Sequence, residues 1–268
     1  MPQRPFSIPR DLTEPRGALI DRPASWLRTF QFAAEAIATA LSPSAYDEAA
    51  RRVAARQIYF SAWQVLAGFT LAAALISFLL IRIVVATAQD FGLSQYALEL
   101  TVRVLVLELI PLFAALFVAL RSGAAINTEV ALMHIRGELE ALQRSGRDPL
   151  HRELVPRAIG SVVAVMLLTY LSCAVALALA YVAMYGLSPW GLSQYVRITG
   201  LVFDWVMVSG MAIKTFLFGV VVAAVPITAA LAVPREYGMA ALAVQRGMVR
   251  LGAAIAAIEG VFLVIMYV

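Results

Sequence analysis

The chain has 268 residues, 62% of them hydrophobic and only 14% charged, with a mean hydropathy of +0.82. Soluble domains carry about 25% charged residues, so a water-soluble enzyme or binding module is excluded and an all-α integral membrane protein is implied. The formal charge of +4 comes from 20 arginines and one lysine against 17 acids, and where the arginines fall matters more than their sum.

Residues 1–23 are rich in proline and arginine and read as irregular. They contain Asp11, Glu14 and Asp21 and no apolar run, so neither a cleavable signal nor a transit peptide is expected, and the first span serves as its own targeting signal. From Ser25 to Leu41, Trp26, Leu27, Phe30, Ala34, Ile37 and Leu41 recur at helical spacing, with Arg28, Gln31, Glu35 and Thr39 opposite. That pattern predicts an amphipathic helix lying in the membrane interface. A second, basic helix is expected from Tyr46 to Arg56, and residues 1–58 together form an N-terminal cytoplasmic and interfacial segment.

Five spans follow, at 59–87, 97–120, 157–186, 197–232 and 239–267, making 59–268 one membrane domain. Pro111 and Pro226 fall inside the second and fourth, where kinks are expected. Arginines crowd the N-terminal segment, the loop between spans two and three, and the flanks of the loop between spans four and five; the opposite loops hold only Arg197. The N-terminus and the charged loop are therefore expected in the cytoplasm and the C-terminus outside.

The loop from Arg121 to Arg157 carries six arginines and five acids. Near balance excludes the one-signed field a nucleic-acid surface needs. The segment reads as a water-exposed helical hairpin: a helix from Ala124 to Ser145, a turn at Gly146, then Asp148 capping a helix that Pro149 begins. Its length and charge mark it as a docking element. The chain has no GxxxxGK[ST], HExxH or GxSxG motif, so no enzymatic chemistry is indicated. The two histidines, His134 and His151, sit in this loop without ligand spacing and are expected to be solvated; Cys173, the one cysteine, is expected to be a small core residue, and no metal site is expected.

Charges inside spans are costly and therefore informative. Glu99 and Arg103, four residues apart, suggest a local ion pair, and Arg82 near a span end can snorkel. Glu108 has no opposite charge one turn away and must pair across helices or face a polar cavity. Asp204 and Lys214, ten residues apart in the fourth span, are too distant to pair and each needs a partner elsewhere. Glu259 is expected to find an interhelical partner. Beside it, Gly252, Ala256 and Gly260 form a small-residue stripe suited either to packing within the bundle or to a dimer seam.

The stretch Leu107–Arg157 resembles the MlaE/YrbE permeases, the membrane subunits of MCE-type ABC transporters. The likeness is carried by Glu108, Pro111, Arg121, Gly123, Ala124, Glu129, Met133, Glu138, Asp148, Pro149, Pro156 and Arg157, and more weakly by Asp204-Trp205, Lys214 and Glu259. Leu107, Ile110 and Leu139 stand where the family has Arg, Gly and Gln, and the Gly-rich segment before the last span is reduced to PREYGMAALAVQRG. The resemblance implies a five-span permease working as a homodimer with a cytoplasmic ABC ATPase dimer, which carries the ATP and Mg, while this chain binds no cofactor. It implies a periplasmic MCE-domain oligomer as the outer partner, phospholipid as cargo, no nucleic acid, and the bacterial inner membrane as location. It assigns ATPase coupling to Glu129, Arg136, Glu138, Leu139 and Asp148, and the substrate cavity to Glu108, Pro111 and Glu259; Arg103, Asp204 and Lys214 are further intramembrane charges. A shorter echo, Glu140-Ala141-Leu142 with Gly146, resembles the loop of importers for small polar solutes. A membrane scaffold without transport is the third reading.

Overall fold

The structure, a computed structural model, describes residues 23–41, 48–93, 96–232 and 240–267. Residues 1–22, read as irregular from sequence, and residues 234–239 of the reduced Gly-rich segment, Arg235 among them, lie outside the described residues. Among the described residues there is no strand. Five helices are long and apolar enough to cross a membrane: Ala50–Asp90, Ala97–Ile135, Leu150–Tyr185, Trp205–Leu231 and Val244–Tyr267. The chain is an all-α integral membrane protein.

The first two spans are longer than hydropathy predicts, at 41 and 39 residues. At 1.5 Å per residue each is about 60 Å long, twice the roughly 30 Å of hydrocarbon in a bilayer, so both project well beyond it. The basic helix Glu48–Ile58 therefore runs straight into the first span, through a π-helical turn at Tyr59–Trp63. The second span likewise continues through a π turn at Ala119–Gly123 into Ala124–Ile135.

That continuation corrects the reading of the charged loop as a freestanding hairpin. Ile126 and Val130 fall one helical turn apart, with Ala131 next to Val130, and all three are buried. They pack with Leu139, Leu150 and Leu154 against the end of the fourth span and the interfacial helix. The expected single helix to Ser145 is broken at Gly137, whose φ of 72° is left-handed, a conformation glycine adopts without a Cβ penalty. A short helix, Glu138–Arg144, follows. His134 is buried, with Nδ1 3.7 Å from Glu140, and is not the solvated residue expected.

The interfacial helix Pro23–Ala40 uses two apolar faces. Phe32 and Ala36 are buried against the fourth span's end, whereas Leu27, Phe30 and Leu41 of the predicted stripe stay exposed, as a helix facing lipid requires. Polar ties fix it: Thr29 Oγ1 lies 3.0 Å from Thr228 Oγ1 and accepts from Arg250 at 3.2 Å, and the Arg250 guanidinium sits 5.2 Å from the Trp26 ring centre. Arg250, counted from sequence as a topology marker, is thus a structural clamp.

The fourth span is the hub, packing on the third, the fifth and the extension of the second. Lipid offers no hydrophobic drive for helix association, so close approach of small residues carries it. Ala114, Ala115, Ala164, Ala223 and Ala230 are all fully buried. At Gly219 an added Cβ would lie 2.5 Å from the Val162 Cα. By contrast Gly252 and Gly260 face open space within the chain, so their stripe does not serve packing within this bundle. Pro226 lies inside the fourth helix, which runs unbroken past it.

The fourth span begins at Trp205, not near 197. Leu192–Val202 is a separate helix held to the third span by Tyr195, whose hydroxyl donates to the Leu177 carbonyl at 2.9 Å. Gly219→Ala is expected to destabilise the protein by about 1–3 kcal/mol through overpacking. In the dissociated single chain Gly252→Ala, in open space, should be neutral or stabilising by up to about 1 kcal/mol. Thermal unfolding of the two purified variants checks the ordering.

Candidate functional site

Three of the four deep charges come together. Lys214, fully buried in the fourth span, donates to Glu108 Oε2 of the second span and to the Leu107 carbonyl at 2.9 Å. Glu259 of the fifth span places Oε2 3.5 Å from the same ammonium. An isolated ammonium at this depth costs several kcal/mol in lost hydration, so the two carboxylates and the carbonyl are what make the position tenable. Sequence reading flagged each residue and required partners for them, but assigned Glu108 and Glu259 to one role and Lys214 to another.

The free Leu107 carbonyl has a local cause. Glu108 lies in a nine-residue π-helical segment, Thr101–Leu109, followed directly by Ile110-Pro111. Proline has no N–H, so it cannot donate to the carbonyl four residues back, that of Leu107; the Val106 carbonyl beside it lies in the π-helical segment. Lys214 takes the first, and the Cys173 thiol of the third span donates to the second at 3.3 Å. Pro111 is itself buried in the helix packing, and its structural effect is to leave the Leu107 carbonyl for another span to fill. Cys173 is buried as expected.

Acceptor capacity is left over. Glu108 Oε1 is buried without a hydrogen-bond partner, and so are the hydroxyls of Thr169 and Ser172 on the third span. Toward the start of the second span, Arg103 pairs with Glu99 at 3.0 Å, the local bridge predicted, and its carbonyl accepts from the Tyr267 hydroxyl at 3.4 Å.

Asp204 lies just before the fourth span, Trp205–Leu231, rather than within it. It is exposed, in extended conformation, and its carboxylate accepts from the Met207 N–H at 2.7 Å as the N-cap of the fourth span. An Asp just before an apolar helical run is a capping signature, and that signal was present in the sequence.

The charged-loop residues lie apart from the triad: Glu108 and Glu129 are separated by about 30 Å of continuous helix. Glu129 bonds Arg157 at 3.4 Å, and Arg157 also holds Glu153 at 2.5 Å. Arg136 and Glu138 face each other at 3.6 Å across the Gly137 turn, both exposed. Asp148 accepts from the Leu150 N–H at 2.9 Å, the cap expected of it, and lies 3.7 Å from His151. Leu139 is 1% exposed, so its side chain anchors the short helix in the core and presents nothing outward.

Lys214→Met is expected to destabilise the protein by about 3–5 kcal/mol, since it strands two buried carboxylates. Adding Glu108→Gln and Glu259→Gln should recover a large part of that loss. Thermal unfolding of the single and triple variants in detergent tests this, and a triple variant no more stable than the single one contradicts the pairing.

A family model described as Permease MlaE matches residues 54–265. The match extends the resemblance beyond the second span and its loop to all five spans. Among curated relatives, the chain is 33% identical over 86 residues to the intermembrane phospholipid transport system permease protein MlaE of Haemophilus influenzae, covering 32% of this chain and 33% of that one. It is 32% identical over 85 residues to a probable ABC transporter permease protein of Rickettsia conorii, covering 30% of this chain and 33% of the relative. A probable ABC transporter permease protein of Rickettsia typhi matches at 26% over 145 residues, 52% of this chain and 56% of the relative. The first two matches span a third of those relatives' own length. By the breadth of the family match, the chain belongs to the MlaE permease family.

Proposed function

We propose that this chain is the membrane-spanning subunit of an ABC transporter that moves phospholipid, or a similarly hydrophobic molecule, between the bacterial inner membrane and a periplasmic MCE-domain oligomer. The observation that carries the reading is the continuity of the second helix. One uninterrupted helix, Ala97–Ile135, bears Glu108 of the buried triad and leads directly into Gly137 and the short helix Glu138–Arg144. A displacement of the loop therefore reaches the charge cluster through a rigid element. The chain has no P-loop of its own, so ATP and Mg belong to a separate ATPase dimer docking on the exposed Arg136–Glu138 pair.

Arginine asymmetry supports a cytoplasmic N-terminus and charged loop and a periplasmic C-terminus. The outward-facing Gly252, Ala256 and Gly260 suit the seam of a homodimer. The similarity to the intermembrane phospholipid transport permease of Haemophilus influenzae favours phospholipid as cargo. Glu108 Oε1 is buried and unspent within the chain, and a movement that opens the bundle beside Pro111 and Glu259 toward the cavity between two copies would offer it to a headgroup that donates hydrogen bonds.

Co-purification and lipid analysis test this together. The tagged chain should retain an ABC ATPase and bound phospholipid detected by mass spectrometry. Glu138→Arg should weaken ATPase retention about tenfold or more by putting two like charges at the dock, while leaving the thermal stability of the chain unchanged. A polar solute in place of lipid would favour a small-solute importer. Absence of any ATPase, with Glu138→Arg silent, would leave only the scaffold reading.

A further inference from the structure

Away from the triad, the seam between the first and second spans holds two adjoining hollows of opposite character. One is an apolar groove of about 630 Å³ that runs along the two helices from Ser77 and Leu105 to Gln64 and Leu120. Its floor includes Val65, Gly68, Ala72, Phe113 and Phe117, and Gly68, Ala72 and Phe113 are open to the surroundings. From Gln64 to Ser77 it extends about 20 Å, more than the roughly 15 Å half-thickness of the hydrocarbon core.

The other is a polar cleft of about 780 Å³ that begins where the groove ends. Its charged lining is Arg56, Arg121, Arg136, Arg157, Glu129 and Glu153, four cations against two anions. Arg157 is engaged by both glutamates and Arg136 by Glu138. Arg56 and Arg121 are exposed and have no carboxylate partner among the described residues. Arg121 donates only to the neutral Gln64 amide oxygen at 2.9 Å, and Arg56 lies 5.7 Å from the Phe60 ring centre. The excess positive charge is thus carried by Arg121, where the cleft meets the groove, and by Arg56, about two helical turns further from Gln64 on the first helix.

Two further features set this junction at the membrane surface. Tyr59, Phe60 and Trp63 are large, exposed and clustered in the turn beside it, the placement expected of an interfacial aromatic belt. Both walls also change winding there, through the π turns Tyr59–Trp63 and Ala119–Gly123; such wide turns recur at functional sites.

An apolar channel one leaflet deep, capped at headgroup level by unpaired guanidinium groups, has the shape and charge of a single amphiphile. We propose that the seam between the first and second spans binds one anionic phospholipid of the arginine-rich leaflet, its phosphate on Arg56 and Arg121 and an acyl chain in the groove. Guanidinium is suited to this because its planar donors match phosphate oxygens in pairs. Basic pockets between spans on the cytoplasmic side are known to take acidic headgroups in this way. Calling that leaflet cytoplasmic rests on the orientation proposed above; the binding itself does not. The site is separate from the buried triad, and an acidic segment of a soluble partner would fill the cleft but leave the groove empty.

Native mass spectrometry of the full-length chain in detergent, titrated with dioleoyl phosphatidylglycerol or dioleoyl phosphatidylcholine, tests the assignment without any transport step. Phosphatidylglycerol should bind about tenfold more tightly than phosphatidylcholine. Arg56→Gln with Arg121→Gln should abolish that preference and leave phosphatidylcholine binding as it was. Ala72→Trp, which fills the groove from its open side, should weaken both lipids, and Arg82→Gln, at the opposite end of the first span from Arg56 and outside the groove lining, should change neither. Melting temperatures of all variants separate lost binding from lost folding. Equal affinity for the two lipids, or an equal loss with Arg82→Gln, overturns the proposal. So does undiminished phosphatidylglycerol binding in a folded Ala72→Trp variant, or a cross-link from Arg121→Cys in the assembled complex that reaches the ATPase or a second copy rather than lipid.

Discussion

A single ammonium group buried among helices governs this bundle. Lys214 is the chain's one lysine, it has no exposure, and its neighbours come from two other spans. Burying that charge requires carboxylates at the same depth, which fixes the rotation of the second and fifth spans about their own axes. It also requires a further acceptor, which Pro111 supplies by leaving the Leu107 carbonyl without an amide partner. The proline, the wide π-helical segment and the lysine therefore form one arrangement, each explaining the others. The Cys173 bond to the neighbouring carbonyl extends it to the third span.

This arrangement is specific where apolar packing is permissive. Alanine and glycine faces allow helices to approach in several registers, and lipid does not discriminate strongly among them. A misregistered fourth span would strand Lys214 against apolar side chains, at a cost of several kcal/mol. Small residues such as Gly219 set how closely the spans lie, while the charges select which faces meet. At the membrane edge Arg250, Thr29 and Thr228 do the same for the interfacial helix with hydrogen bonds and a ring contact.

Much of this was legible in the chain. Hydropathy gave the five spans, spacing gave the Glu99–Arg103 bridge and the Asp148 cap, and depth marked Glu108, Lys214 and Glu259 as residues in need of partners. What stayed hidden was lateral: Lys214 and Glu108 lie 106 residues apart in sequence, and a single sequence carries no record of which helix neighbours which. Other misses were local. Asp204 before Trp205 is a capping signal that a hydropathy window averages away. Gly137 sits inside a charged run whose helical spacing continues on both sides, so only its left-handed backbone reveals the break. His134 and Leu139 were read with their charged neighbours, although each points from a polar segment into a core built largely by other helices.

The wide turns of the second span carry a mechanical implication. An α-helix advances about 100° per residue, and a π segment holds surplus residues within its turns. The second span contains two such segments, Thr101–Leu109 beside the charge cluster and Ala119–Gly123 where the helix enters the arginine-rich side. Moving that surplus along the helix by one residue would rotate the intervening stretch without unwinding it and without breaking the chain of backbone bonds for more than a turn. The span is thus built less like a rod than like a shaft with a splined coupling at each end, able to transmit torque as well as thrust.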